Sequence, residues 1–230
     1  MTTVETSETA VLDRLLDDRW SCRGFRPDPV PRSTIERILD IARKSPSWCN
    51  TQPWHTIVTE GAGTERFRRA LSGHAAATSG LAPDFAFPER YVGVYQERRR
   101  ECGRQLYESV GVARGDRDAS GREALRNFSF FDAPHTAVVT TTADLGAYGA
   151  VDCGLYVQTF LLAAQSLGLG AIPQAAFAAH SGFIRDFFGL PHDRLIVCGI
   201  SFGYADPDHR ANQFRTTRAQ LADTYDWIDS

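Results

Sequence analysis

The segment Ala150–Leu167 constrains this chain more than any other. It reads as a long helix that is apolar on most faces, and a helix of that kind is usually central to a core. Gly168 and Gly170 follow it as terminators. It is not a membrane span, because Asp152, Gln158 and Gln165 interrupt the run from Gly149 to Gly170. A span needs about 18–20 uninterrupted apolar residues. The rest of the chain must therefore supply elements that wrap this helix.

Those elements are mixed. Helical spacing predicts helices over Val11–Asp18, Ser33–Lys44, Thr64–Leu71 and His180–Phe188. In Ser33–Lys44, Ser33 and Glu36 form a capping box, and Ile35, Ile38, Leu39 and Ala42 recur on one face. His55–Thr59, the β-branched run Thr136–Thr142 and Leu195–Ser201 read as strands. Regular βαβ alternation is absent, so the expected class is α+β, with helices flanking a small mixed sheet. A length of 230 residues, 43% hydrophobic and 23% charged, suits a single domain over 1–230. From about 81 to 126 the chain is rich in Arg and Glu, with Tyr91, Tyr95 and Tyr107 interleaved. This stretch reads as a helical insertion, too short and polar for a core of its own. The tail from Tyr204 to Ser230 opens on the turn Asp206-Pro207-Asp208 and is polar enough either to fray or to wrap a partner subunit.

Charge and cysteine usage narrow the class. A net charge of −3 argues against nucleic-acid binding, which usually needs a basic stripe. Cys22, Cys49, Cys102, Cys153 and Cys198 are odd in number and contain no CxxC pair. They suggest neither a zinc site nor a disulfide framework, and a reducing cytoplasm is the simple expectation. Met1–Asp13 is polar and acidic, unlike a signal peptide, and no membrane association is expected. His55, His74, His135, His180, His192 and His209 are scattered without ligand spacing, so no metal is expected.

Four segments are candidates for chemistry. Arg19-Trp20-Ser21-Cys22-Arg23-Gly24-Phe25 places two guanidinium forks around a serine, a donor set suited to phosphate or carbonyl oxygens. Ser45-Pro46-Ser47-Trp48-Cys49-Asn50-Thr51-Gln52-Pro53-Trp54 is a rigid loop whose Asn and Gln amides match a flavin or nucleobase edge. Gly168-Leu169-Gly170-Ala171-Ile172-Pro173-Gln174-Ala175-Ala176 offers small residues that let backbone approach a planar ring. Asn212-Gln213-Phe214-Arg215-Thr216-Thr217-Arg218 brings two more arginines. Each has a bland reading: a solvated Arg pair, an ordinary turn, a helix cap and a solvated tail. The helical stripe of the insertion likewise reads either as plain packing or as a lid that selects an acidic or aromatic substrate.

Taken together, the Arg-x-Ser-x-Arg-x-Phe segment, the Pro29-Val30 turn, the following helix and Ser-Pro-Ser-x-x-Asn-x-Gln-Pro-Trp make the sequence resemble the FMN-dependent nitroreductase superfamily, from about Leu15 to Arg218. The resemblance implies a nitroreductase-like fold and an intertwined homodimer whose C-terminal extension wraps the partner. It implies FMN bound in the groove between the subunits, with NADPH or NADH as reductant. Arg19, Ser21 and Arg23 would then contact the phosphate, ribityl chain and pyrimidine side, with Trp20 contributing backbone. Pro46, Ser47, Trp48 and Asn50 would reach the flavin held mainly by the other subunit. Pro173, Gln174, Ala175 and Ala176 would line the isoalloxazine, and Arg215 would grip the phosphate with Arg218 beside it. Asp152 falls where some relatives carry an amide, and Ala175-Ala176 where some carry Glu-Gly. Reduction puts negative charge near N1 and C2=O, so a cation such as Arg23 there would raise the potential. No side chain is assigned as a general acid, because the cofactor carries the hard chemistry. The implied activity is ping-pong reduction of nitroaromatics, quinones or similar conjugated acceptors. Reductive dehalogenation, ene-type reduction and a flavin-binding redox sensor without turnover are the alternatives on the same fold.

Overall fold

The computed structural model describes residues 7–229. The first six residues of the polar N-terminal stretch, and Ser230 at the end of the tail, lie outside the described residues. In chain order the elements are α1 (Glu8–Asp18), α2 (Arg32–Ala42), β1 (His55–Thr59), α3 (Gly61–Ala77), α4 (Gly93–Ser109), α5 (Arg117–Leu125), β2 (His135–Thr142), α6 (Gly146–Ser166), β3 (Gly170–Gln174), α7 (Ser181–Phe188) and β4 (Arg194–Gly203), joined by short 3₁₀ turns. The architecture is α+β.

The strands lie in the order β1-β2-β4-β3, and every pair is antiparallel. The expected mixed character is confined to one parallel bridge, Ser21 to Ala171, at the free edge of β3. Strand β2 is buried on both faces because its alternating side chains enter two different cores. Ala137 and Val139 face a layer built by α2 and α6, with Ile35, Ile38, Tyr156 and Phe160. Val138 faces the opposite layer, with Phe67 and Leu71 of α3, Ile184 of α7 and Phe177 of the 3₁₀ turn before α7.

Helix α6 packs Cys153, Tyr156, Phe160 and Ala164 into the first core. It ends in a Schellman motif. Gly168 adopts φ +75°, its N–H bonds Gln165 O at 3.0 Å, and the Leu169 N–H bonds Ala164 O at 2.9 Å. Its apolar surface is not all enclosed, however. Tyr148, Val151 and Leu155, spaced three and four apart, stand exposed along one stripe.

One sequence expectation is corrected, and one strand has no counterpart in the sequence reading. The capping box does not form: α2 starts one residue earlier, at Arg32, with Pro31 as N-cap and no side-chain cap. The fixed φ of Pro31 presets the first turn. Glu36 is drawn instead to Arg32, Nε to Oε1 3.0 Å. The stretch after Gly168, read from sequence as small residues following a helix cap, contains strand β3, paired to β4 from Gly170↔Gly203 to Gln174↔Gly199. Gly and Pro disguise it, and an edge strand tolerates both. Gly170 is required there: a Cβ would lie 2.9 Å from Cys22 Sγ.

The tail is partly built into the fold. Phe25 bridges Ala205, and Asp206 N–H bonds Gly24 O at 3.0 Å. Ala211 and Asn212 are buried. Beyond them the chain carries Leu221, Tyr225, Trp227 and Ile228 exposed.

Candidate active site

Helix α1 ends as Arg19 turns extended, at φ −75° and ψ 128°. The strand-like run that follows is pinned on both sides. Cys22 N–H bonds Ala171 O at 3.2 Å, and the Arg23 N–H bonds Asn212 Oδ1 at 2.8 Å. The Asn212 amide group donates in turn to Gly24 O and Asp206 O, both at 2.8 Å. One buried side chain thus clamps the tail onto the Arg19–Phe25 run. Gly24 permits this approach, because a Cβ would meet the His209 ring at 2.1 Å.

The clamp brings the first and fourth sequence segments together. Arg19, Trp20, Ser21, Arg23, Arg215 and Arg218 line one cavity of about 290 Å³. Arg215 lies over the Trp20 ring, 4.2 Å from its centroid, and donates to Asn212 O at 2.8 Å. Among the described residues, none of the four guanidinium groups has a carboxylate within 4 Å. Burial lowers the pKa of Arg19, and Arg218 beside it lowers it further. Burial also lowers that of Arg23. Partly desolvated like charges that face one another make a site short of an anion. Trp20 Nε1 is buried there without a hydrogen-bond partner.

The second segment is a strained loop. Cys49, Asn50 and Gln52 have φ of 49°, 55° and 48°. Such backbone costs about 1–3 kcal/mol per residue and persists only where the surroundings enforce it. Enforcement comes from Asp152 on α6, whose two oxygens accept the Trp48 N–H at 3.1 and 3.2 Å. Ser47 Oγ accepts the Gln52 N–H at 2.9 Å. Trp48 packs edge-on against Tyr148, centroids 4.3 Å apart. Pro46, Trp48 and Asn50 are exposed, Ser47 is half-buried, and none of them lines the arginine cavity of its own chain. The Asp152 carboxylate is directed at the loop.

At the end of β3, Pro173 is half-buried, Ala175 exposed and Ala176 half-buried. Gln174 is turned inward. Its amide group donates to Asn127 O at 2.8 Å, and its carbonyl accepts from the Ser201 hydroxyl.

Sequence reasoning missed Asn212 as a site residue, along with Arg126 and Asn127. Arg126 donates to Arg23 O at 3.3 Å and lies over the Phe131 ring. A lone amide in a polar tail gives no signal of this kind. The thiols of Cys22, Cys153 and Cys198 are pushed up by burial, to about 11, 12 and 12. Burial lowers the pKa of His135, whose Nε2 accepts the Val30 N–H at 2.9 Å. Among the described residues, no cluster of His, Cys, Asp or Glu is placed to hold a metal. No helix there is long and apolar enough to cross a membrane.

Residues 16–204 match the model of the nitroreductase family. The chain belongs to that family. It is similar to nitroreductase NfnB of Mycolicibacterium smegmatis, 37% identical over 96% of this chain and 94% of the relative. A 4-nitrobenzoate reductase of Pseudomonas putida is 36% identical over 90% of each chain. The crystal structure of the FMN-dependent nitroreductase NfnB from Mycobacterium smegmatis, in complex with NADPH, superposes with a TM-score of 0.92 at 35% identity, covering 97% of this chain and all of that one. In this nitroreductase-family chain the matched span begins inside α1 and ends just after β4. Arg215 and Arg218 therefore lie beyond it, brought back to the site by the Asn212 clamp.

Proposed function

We propose that this chain is an FMN-dependent NAD(P)H oxidoreductase that reduces nitroaromatic, quinone and similar conjugated acceptors by a ping-pong cycle, working as a homodimer of single-domain protomers. The observation that carries the reading is the cavity where four guanidinium groups converge against the single acid Asp17 in its wall, with no carboxylate within 4 Å of any of them among the described residues. A phosphate of charge near −2 answers that deficit with charge-assisted, bidentate contacts. The orphaned indole N–H of Trp20 is a further donor in the same wall. The donor set fits the phosphate end of FMN.

Arg19, Ser21, Arg23 and Arg215 hold the phosphate, ribityl chain and pyrimidine side, with Arg218 and the Trp20 backbone beside them. Pro173, Ala175, Ala176 and the Gln174 backbone border the ring. Pro46, Ser47, Trp48 and Asn50 serve the flavin of the partner subunit. Asp152 positions that loop. Bound FMN supplies hydride acceptance from the nicotinamide and onward delivery to the acceptor. With FMN bound, Arg23 would place a positive charge at the pyrimidine edge, and water entering the cleft would supply protons. Helices α4 and α5 of the insertion, at about 81–126, form the lid.

The bare stripe Tyr148, Val151 and Leu155 supports the dimer, as do exposed Leu12 and Leu16 on α1. Apolar surface in such stripes marks an interface. Leu221, Trp227 and Ile228 give the tail an apolar face with which to wrap the partner. The five unpaired thiols fit a reducing cytoplasm.

The test is an absorbance spectrum of the purified protein, followed by anaerobic NADPH and NADH. Flavin bands that bleach, and steady oxidation of the dinucleotide with a nitroarene, are expected. Protein that stays colourless after incubation with FMN sinks the reading.

A further inference from the structure

We propose that Gln174 is a positioning residue for the transfers at the flavin. Its buried side chain, tied to the end of the insertion and to β4, fixes the wall on which the ring rests. The proposal rests on the flavin reading above, in which Pro173, Ala175, Ala176 and the Gln174 backbone border the ring.

An amide is a costly choice at this place. Gln174 is the last residue of β3 and only 2% exposed. A strand position turned into the protein is ordinarily filled by an apolar side chain, because an amide withdrawn from water is unfavourable unless its hydrogen bonds are remade. Here they are remade on both sides. Nε2 donates to Asn127 O at 2.8 Å and also reaches Asn127 Oδ1 at 3.3 Å, while Oε1 accepts from the Ser201 hydroxyl. The three residues come from separate parts of the chain: β3, β4 and the turn after α5 that closes the insertion. A satisfied buried network of this kind favours one arrangement of its members.

Asn127 is itself held in place. The turn after it runs through three consecutive residues of left-handed φ, Phe130 at 64°, Phe131 at 51° and Asp132 at 65°. Residues other than glycine keep such backbone only where the surroundings enforce it. Helix α3 does the enforcing. Arg68 donates to Ser129 O at 3.0 Å and to Ala133 O, and Ser72 Oγ donates to Phe128 O at 2.9 Å. Arg126, the residue before Asn127, donates to Arg23 O at 3.3 Å. Two adjacent residues at the end of the insertion thus hold both runs that border the site, Arg19–Phe25 and β3.

A second anchor follows Gln174. Phe177 packs on Gly199, the residue paired with Gln174, where a Cβ would lie 2.2 Å from the ring. Ala175 and Ala176 span the gap between the anchors. Neither has a side chain able to fasten itself, so the wall takes its position from Gln174 and Phe177. Reacting atoms must meet within about 3–3.5 Å, and a misplacement of about 1 Å can cost roughly a hundredfold in rate.

The experiment uses the FMN-loaded protein with Gln174→Met, Gln174→Glu and Ser201→Ala. Stopped flow measures flavin reduction at saturating NADPH or NADH. Visible circular dichroism of the bound flavin, FMN Kd and the thermal midpoint are measured beside it. Gln174→Met keeps the bulk and removes both anchoring contacts. It should slow reduction about ten- to a hundredfold and alter the dichroic bands. FMN Kd should change less than about threefold, because the arginine cavity is untouched. Ser201→Ala removes one anchor, should give part of the loss, and decides the matter if Gln174→Met does not fold. Gln174→Glu adds a pH profile. Its protonated carboxyl can donate to Asn127 O and accept from Ser201 as the amide does, so at low pH its rate should be close to the parent's. The rate should fall toward that of Gln174→Met as pH rises through a pKa raised by burial and by the facing carbonyl. Lowered midpoints with the parent's rate and dichroism would show a merely structural network and overturn the proposal. A Gln174→Glu rate that keeps a constant ratio to the parent across pH overturns it too. Protein that takes up no FMN overturns the flavin reading and this proposal together, whereas FMN-loaded variants reduced at the parent's rate overturn this proposal alone.

Discussion

Two arginine-rich regions of this chain handle their charge in opposite ways. Around the first cavity the backbone does the placing. Arg19 sits at a helix end, Arg23 is pinned by Asn212, and Arg215 is laid over Trp20. No carboxylate lies within 4 Å of these groups among the described residues, and burial lowers the pKa of Arg19 and Arg23, outweighing the more distant Glu123 at Arg23. On α4 the reverse holds at Arg104, which lies exposed between Glu101 and Glu108 and has its pKa raised by them. Counting arginines therefore does not find an anion site. What finds it is a guanidinium that the fold has fixed and left unanswered.

The sharpest way to break this comparison is to remove charge from the first cavity. Arg19→Ala or Arg215→Ala should each cost about 1.5–3 kcal/mol of FMN binding, roughly ten- to a hundredfold in Kd. Quenching of FMN fluorescence on titration measures it. If both variants hold FMN as tightly as the parent, the phosphate lies elsewhere and the two regions are equivalent. A smaller effect is expected from the clamp. Asn212→Ala leaves the Arg23 N–H without its partner and takes one of the donors from the Gly24 and Asp206 carbonyls. Buried groups left unpaired cost about 1–3 kcal/mol. Urea denaturation should show that loss, and FMN affinity should fall as the tail loosens. Unchanged stability and affinity would mean that the tail does not hold Arg215 in place.

The fold was legible wherever periodicity and burial agree. Strand β1 was read with its bounds, and β2, β4 and α6 within a few residues, because β-branched runs and long apolar stretches leave a strong pattern. Strand β3 was not, since its Gly170 and Pro173 answer to close approach and edge position, which are tertiary facts. The capping box failed because Glu36 had a rival in Arg32, and a local motif cannot see such competition. At the site, the arginines of the first and fourth segments stood out by type, and the structure brings them to one cavity. The inward turn of Gln174 and the Asn212 clamp were invisible. Both depend on residues far away in sequence, Asn127 and Ser201 for one, Arg23 and Gly24 for the other.

The smallest expected effect sharpens the comparison from the other side. Arg104→Ala removes the best-paired arginine of the insertion, with four contacts of 2.6–2.9 Å to Glu101 and Glu108. Short distances alone would suggest a large loss. Both carboxylates and the guanidinium are about half-exposed, however, so water competes for every contact, and three flexible side chains lose freedom to make them. The thermal midpoint should move by no more than about 2 °C. A midpoint lowered by more than about 5 °C would show Arg104 holding the insertion together. The contrast between an answered, solvated arginine and an unanswered, fixed one would then fail on α4.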